Sequence, residues 1–327
     1  MKYMLSFGGR NRVVNIAIED YVIRMVENNG KDLSSIKTIQ KKRIPQNIIK
    51  RGKVVDELAF FELMKKVVSE WKIKNRKVRF YAPHDLVILR NVNIPEDVAR
   101  HEIEQHITME IGHTIHFPFT HPIFNLYDVP ETPDVKEVTV IAASEEEIIK
   151  YVNVFDDVNL EPVAVDVHAL GTYRYAYLTE PDRFTEDVYL FIEFNLTAVN
   201  ISIFHNHKLE FLRYQPLNIS NKDWELDSED QSSWVFTGDE IHLEAEINDQ
   251  VNELSRLMNF YQFTLHQGNK SVNKIFLQGD HPYLPKIKEQ LEERYELPIE
   301  KIKPKVGEKE IDIEYVPLLG LALKGVK

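Results

Sequence analysis

The chain contains no cysteine. That excludes disulfides, thiolate metal sites and cysteine nucleophiles, and it fits a reducing compartment such as the cytosol. Positive charge is also scarce: 40 Lys and Arg stand against 52 Asp and Glu, a formal net charge of −12. A nucleic-acid binder needs a basic face to displace counterions from phosphate, so that class is set aside. No apolar run is long enough to span a bilayer, and the opening MKYMLSFGGR lacks the apolar core of a signal peptide. Whatever the protein meets at a membrane, it is expected to meet from outside the hydrocarbon. Missing as well are G-x-S-x-G, the Walker A pattern and G-x-G-x-x-G.

What is present describes a globular protein: 43% hydrophobic and 28% charged residues over 327 positions, long enough for two domains. Asp187–Tyr214 reads as a meander. Val188–Ile192 is a buried strand, Glu193–Thr197 a tight bend, Thr197–Phe204 an alternating strand with Val199, Ile201 and Ile203 inward, and Leu209–Tyr214 a third strand. Near the start the design recurs: Val13–Ile18, the bend Glu19-Asp20-Tyr21, then Val22–Val26. Placing Ile16 on Ile192 shifts the chain by a little over half its length, which suggests a duplicated architecture.

Between these openings, Lys37–Ile44 is a further strand beside a basic patch of Lys41, Lys42, Arg43, Lys50, Arg51 and Lys53, which reads as a solvated strand and loop or as a face for anionic lipid or an acidic partner. Val55–Trp71 is a helix with Leu58, Phe61, Met64, Val67, Val68 and Trp71 on its apolar stripe, and Arg76–Tyr81 a strand. An inserted module of about 87–165 follows. It comprises a strand Val87–Val92, a helix opened by Ile94-Pro95-Glu96 that buries Ile103, Ile107 and Ile111, and strands Ile123–Val129 and Val138–Ala142. A helix capped by Ser144 with Glu147 and a last strand Pro162–Asp166 complete it. His168–Tyr177 returns to the first domain, and Thr179–Thr185 divides the chain into domains 1–184 and 185–327. In the second, Asp223–Asp239 carries Trp224 and Trp234 in a mobile surface loop or a loosely docked excursion. Glu240–His266 is a long helix striped by Ile247, Val251, Leu254, Met258, Tyr261 and Leu265. Lys274–Arg294 is strand, glycine turn and helix, and Pro317–Lys324 is a final helix.

Five segments in order carry a resemblance. Arg90-Asn91-Val92-Asn93-Ile94-Pro95 leads to His116-Phe117-Pro118-Phe119, and Val138–Ala143 leads into Ser144-Glu145-Glu146. Leu160-Glu161-Pro162-Val163-Ala164-Val165-Asp166, Lys274-Ile275-Phe276-Leu277-Gln278-Gly279 and Gly320-Leu321-Ala322-Leu323 follow. Together with the paired openings, they resemble the actin-like superfamily and, within it, the PilM family of type IV pilus assembly, related to FtsA. The resemblance implies an α/β actin-like ATPase fold, two duplicated domains with an FtsA/PilM-type inserted subdomain.

It also implies a cleft where relatives hold ATP and Mg²⁺ on glycine bends and aspartates. Here the first bend offers Ala17 at the aspartate position, then Glu19 and Asp20; the second offers Glu193, Phe194, Asn195 and Thr197; the late turn offers Gly279 and Asp280; and Asp166 survives as an acid near the cleft. Glu19 and Asp20 would set negative charge against triphosphate, each close contact costing on the order of 4 kcal/mol at intermediate dielectric, and Phe194 would crowd the same space. The expectation is a scaffold without ATP hydrolysis and without a bound cofactor. The alternative is an ATP-binding switch whose nucleotide state controls partner binding or polymerisation. By resemblance, the partner is the cytoplasmic N-terminal tail of a PilN-like single-span membrane protein, docked against the inserted module around Val87, Leu89, Ile103, Ile107, Phe117 and Phe119. Other platform or motor proteins, self-association and a cytoplasmic, membrane-peripheral location are implied with it. His101, His106, His113, His116 and His121 lack metal-ligand spacing and read as surface histidines, and Asp227, Glu229 and Asp230 lack the pattern of a calcium loop. Gly8-Gly9-Arg10 precedes the first strand and reads as a lead-in.

Overall fold

Two hairpins rich in β-branched residues seed the two halves of the molecule. The computed structural model describes residues 12–30, 32–129, 137–185, 187–227 and 233–325; Gly8-Gly9-Arg10, Glu229 and Asp230 lie outside the described residues. β1 (Val13–Ile18) and β2 (Val22–Asn28) form the first hairpin, β3 (Ile36–Arg43) extends it, and β4 (Ile49–Lys50) with β5 (Lys53–Val54) makes a small second one. α1 (Glu57–Trp71) is capped by the Asp56 carboxylate, which accepts from Ala59 N, and ends at Lys72 in left-handed backbone. It buries Phe60, Met64, Val67 and Val68, whereas Leu58 is exposed and Phe61 and Trp71 are half-buried. The expected stripe is therefore displaced by part of a turn. β6 (Lys77–Tyr81) then runs parallel to β1.

β7 (Val87–Asn93), α2 (Ile103–Glu110), β8 (Pro122–Asp128) and β9 (Glu137–Ser144) make the inserted module, a sheet of order β7-β9-β8 over a small core of its own. The helix does not begin at Ile94. Val98 N closes a turn on Pro95 O, Arg100–Glu102 is a 3₁₀ turn, and α2 is correspondingly short. α3 (Glu145–Asp157) follows, with Ser144 at its N-cap position but no side-chain capping bond, so the expected capping box is not formed. β10 (Glu161–Asp166), expected as the module's last strand, pairs instead with β6 in the first sheet, and α3 packs on α1. α4 (His168–Thr179) closes the first half.

The second half repeats the plan. β11 (Val188–Phe194), β12 (Ala198–His205) and β13 (Lys208–Pro216) form the meander, followed by the ribbon β14 (Trp224–Leu226) and β15 (Trp234–Phe236). α5 (Glu240–Asn259), β16 (Lys274–Gln278), α6 (Leu284–Arg294), β17 (Ile299–Lys301) and α7 (Val316–Ala322) complete it. The sheet orders are β10-β6-β1-β2-β3 and β17-β16-β11-β12-β13. In each, the opening strand lies at the centre, antiparallel to its hairpin partner and parallel to the strand after the crossover. Ile16 faces Met25 and Phe80; Ile192 faces Ile201 and Leu277. The duplication read from sequence is a duplication of topology.

β12 is buried on both faces, because helices or the opposite half cover both sides of its sheet, so its alternation marks no solvent face. α5 ends at Asn259 in a π-helical turn, Phe260–Leu265, which keeps Tyr261 buried and turns Leu265 outward. The expected loose excursion is anchored: Trp224 and Trp234 are buried, and Trp224 Nε1 donates to Leu196 O at 3.1 Å. α7 leaves the second half and packs on α4, β1 and β2. A Cβ on Gly320 would stand 1.8 Å from Gly171 O, so only glycine permits this helix crossing. Tyr81 Oη donates to Pro317 O at 2.5 Å across the same seam.

Candidate functional site

Two regions converge the residues singled out in the sequence: the cleft between the halves and a groove beside the inserted sheet. In the cleft, the first bend holds its acids by specific bonds. Glu19 Oε1 lies 3.3 Å from His84 Nε2. The Asp20 carboxylate accepts from Arg51 N at 2.5 Å and Gly52 N at 2.8 Å, the left-handed pair at the tip of the β4–β5 hairpin. The residue expected to repel phosphate thus fills a nest of amides itself. Ala17 is buried in β1.

At the second bend, Glu193 Oε2 stands 3.1 Å from His168 Nδ1, and Asn195 Nδ2 donates to Glu193 Oε1 at 3.0 Å. Burial pushes the Glu193 carboxyl up, but His168 outweighs it, with His84 and Asn195 adding, and holds it at about 2. Burial pulls the His84 imidazole down; Glu19 outweighs it and leaves its pKa raised. Phe194 is placed otherwise than expected: its ring is fully buried in the second-half core rather than crowding the cleft. Gly279, at φ 116°, packs on it so closely that a Cβ would lie 1.9 Å from Phe194 O.

Asp280 is drawn into a junction that spans the cleft. Tyr21 Oη donates to its carboxylate oxygens at 2.7 and 2.8 Å, and Arg24 Nη2 pairs with it. Arg24 Nε also reaches Glu314 at 3.2 Å, which Lys41 Nζ approaches at 3.1 Å. Burial would depress the Arg24 pKa, but Glu314 and Asp280 raise it, so the guanidinium stays charged. Tyr21 and Val22 of the first half lie within the hydrophobic core of the second. What remains open around His84 is three voids of about 20, 10 and 10 Å³. Thr197 lines the largest with Glu19 and Asp20. Each holds a water molecule at most, against the hundreds of cubic ångströms of a nucleotide pocket. Beside them a wider pocket of about 380 Å³ opens between the halves, lined by Asp20, Lys50 and Arg51 of the first and Thr197, Tyr214 and Lys222 of the second.

Asp166 faces the other region. It is no helix cap for α4, whose N-cap is Val167; its carboxylate pairs with Arg174 at 3.0 Å and Lys324 at 2.9 Å. It opens on a groove of about 360 Å³ between the inserted sheet and the first sheet, walled by Ile123, Phe124, Leu126, Tyr127, Val165 and Leu170. Of the residues expected there, Val87 lines it. Leu89 packs toward the core between the halves. Ile103 and Ile107 are fully buried in the module's own core and cannot line a groove. Phe117 packs on that core beneath Arg90, 5.8 Å from ring centre to guanidinium, and Phe119 is half-buried. The basic patch is largely committed too: Lys42 pairs with Glu70, Arg51 with Asp85, and Arg43 lies over Trp234.

Sequence reasoning passed over His84, His168 and Arg24. Their signals were small: a histidine just after a strand, another opening a helix, and an arginine inside the apolar strand Val22–Val26. The histidines weighed instead, residues 101–121, are exposed except half-buried His106.

The sequence pattern of the family described as type IV pilus assembly protein PilM matches residues 15–219, more than half of the chain. The chain belongs to the PilM family. That PilM match runs from β1 to just past β13, so it takes in both bends, the inserted sheet and the groove, while Gly279, Asp280 and α7 lie beyond it. No curated protein matches the chain in sequence. Among solved structures, a PilM–PilN type IV pilus biogenesis complex is similar over 96% of this chain and 98% of that one, with 19% identity and a TM-score of 0.76. The ethanolamine utilization protein EutJ of Carboxydothermus hydrogenoformans shares 11% identity over 96% and 90%, with a TM-score of 0.51. MreB5 of Spiroplasma citri bound to AMPPNP shares 9% over 96% of each chain, at 0.52. These likenesses show the actin-like fold.

Proposed function

We propose that this PilM-family chain is a scaffold of a type IV pilus or related assembly platform, which grips an extended tail of a PilN-like membrane protein without hydrolysing ATP. The observation that carries the reading is the apolar groove. It is bordered by β8 and β10, each at the edge of its sheet, and Ile123 and Val165 on its walls are each 37% exposed. A segment laid there gains main-chain bonds from a strand edge and pockets for alternate side chains. The complex among the similar structures pairs a PilM with a PilN, which suggests the class of occupant. No helix among the described residues could cross a membrane; in this reading, membrane attachment comes through the partner. In this reading the cleft serves as the joint between the halves, held by the ion pairs of Arg24 with Asp280 and Glu314.

Titration with the N-terminal tail peptide of the PilN-like protein of the source organism tests the groove. Ile123→Glu and Val165→Glu, both at exposed positions, are each expected to weaken binding tenfold or more, about 1.4 kcal/mol. Binding indifferent to both substitutions would remove the groove from the reading. Calorimetry with Mg–ATP tests the joint: no saturable heat is expected up to about millimolar nucleotide. Saturable binding abolished by Glu193→Ala would instead favour the nucleotide switch.

A further inference from the structure

Among the described residues, Glu19, His84 and His168 form the one group of three whose donor atoms all lie within 4.8 Å of one another. Glu193 adjoins them through His168. The His84 and His168 rings stand 4.3 Å apart, centre to centre. We propose that this cluster is a binding site for a zinc-class divalent cation, held by His84, His168 and Glu19 with Glu193 or water in the fourth position.

The donor chemistry selects the metal. Two imidazoles and a carboxylate suit zinc and its neighbours, whereas calcium and magnesium take oxygen ligands. Metal–ligand bonds of about 2.0–2.2 Å put the donors of a tetrahedron about 3.4 Å apart, so side-chain rotations of about an ångström close the observed spacing. A second observation points to a missing partner. His84 Nε2 and His168 Nδ1 are buried and each already faces a carboxylate, Glu19 at 3.3 Å and Glu193 at 3.1 Å, so the orphaned atoms are those of their neighbours. His168 keeps only 6% of its side chain exposed. Asn200 lacks partners for both its amide atoms and lines two of the voids beside His84, and Gln278 Oε1 is unpaired at one of them. Buried polar atoms without partners are uncommon and usually mark an ion or an ordered water. The placement has a structural consequence. Glu19, His84 and His168 come from the first half, and Glu193 from the second, so a metal with all four ligands would staple the halves where relatives of this fold hold nucleotide. Metal binding at these side chains requires neither a peptide in the groove nor ATP.

The full chain, stripped with chelator, is titrated with Zn²⁺ by calorimetry and with Co²⁺ by visible absorption. One equivalent is expected to bind, with the intense d–d bands of low-coordinate cobalt. His84→Gln and His168→Gln are each expected to weaken binding on the order of a hundredfold, because each removes one of three protein ligands. Glu19→Gln, at a partly exposed position, should weaken it and alter the cobalt spectrum. Three results would overturn the assignment: no saturable metal binding, binding that survives all three substitutions, or binding lost on His266→Gln. The last would move the metal to Glu210, whose two carboxylate oxygens stand 3.0 Å from His205 Nδ1 and 3.0 Å from His266 Nε2.

Discussion

Replacing Arg24 by methionine keeps the unbranched apolar stem of the side chain and removes the guanidinium and its charge from the seam between the halves. Arg24 is 5% exposed and Asp280 fully buried in their side chains, and Glu314 is 13% exposed. The variant leaves Asp280 with only the Tyr21 hydroxyl and Glu314 with only Lys41. Breaking a buried pair by deleting one partner costs about 3–5 kcal/mol, because the remaining charge is stranded out of water. The loss should appear as a lower urea midpoint at unchanged slope, and as faster amide exchange in β2 and the Gln278–His281 turn. Arg24→Met with Asp280→Leu removes both charges and should recover most of that loss. A cost below about 1 kcal/mol for Arg24→Met, or single losses that simply add in the double variant, would refute a buried pair at this seam, since contacting partners must couple.

Other outcomes follow from the same contacts. Gly320→Ala should lower the melting temperature, because its Cβ meets Gly171 O at 1.8 Å; a rise, reflecting the roughly 1 kcal/mol helix preference of alanine, would mean the crossing is looser than it stands. Trp224→Ala should cost about 3–5 kcal/mol in chemical denaturation, since the ring is buried and its indole is bonded to Leu196 O; a loss within the range of a surface change would restore the loosely docked reading. Glu210 is held below its ordinary pKa: burial raises it, but Tyr261, Lys270 and His205 outweigh that. Its depressed folded value contributes stability above about pH 4.3 that is lost as pH falls through the folded value. Glu210→Gln should therefore flatten the acid limb of a stability profile, and an unchanged limb would count against the cluster.

Much of the fold was legible in the sequence because it rests on local chemistry. The paired strand–bend–strand openings, the apolar runs of β11 and β16 and the glycine turn at Gly279 each follow from a few neighbouring residues, and their topology is as the duplication suggests. The terminal Gly320-Leu321-Ala322-Leu323 was legible only as a resemblance; its reason, a helix crossing too close for any Cβ at Gly320, is tertiary. The same holds for the acids. That Glu19, Asp20 and Asp280 stand at the bends could be read directly, but not that Asp20 caps a hairpin, that Glu19 meets His84, or that Asp280 meets an arginine 256 residues away. Charge and spacing along a chain state which groups are available. Which of them share a buried seam is decided by the packing of one half on the other, because only there does loss of water force each charge to find a partner.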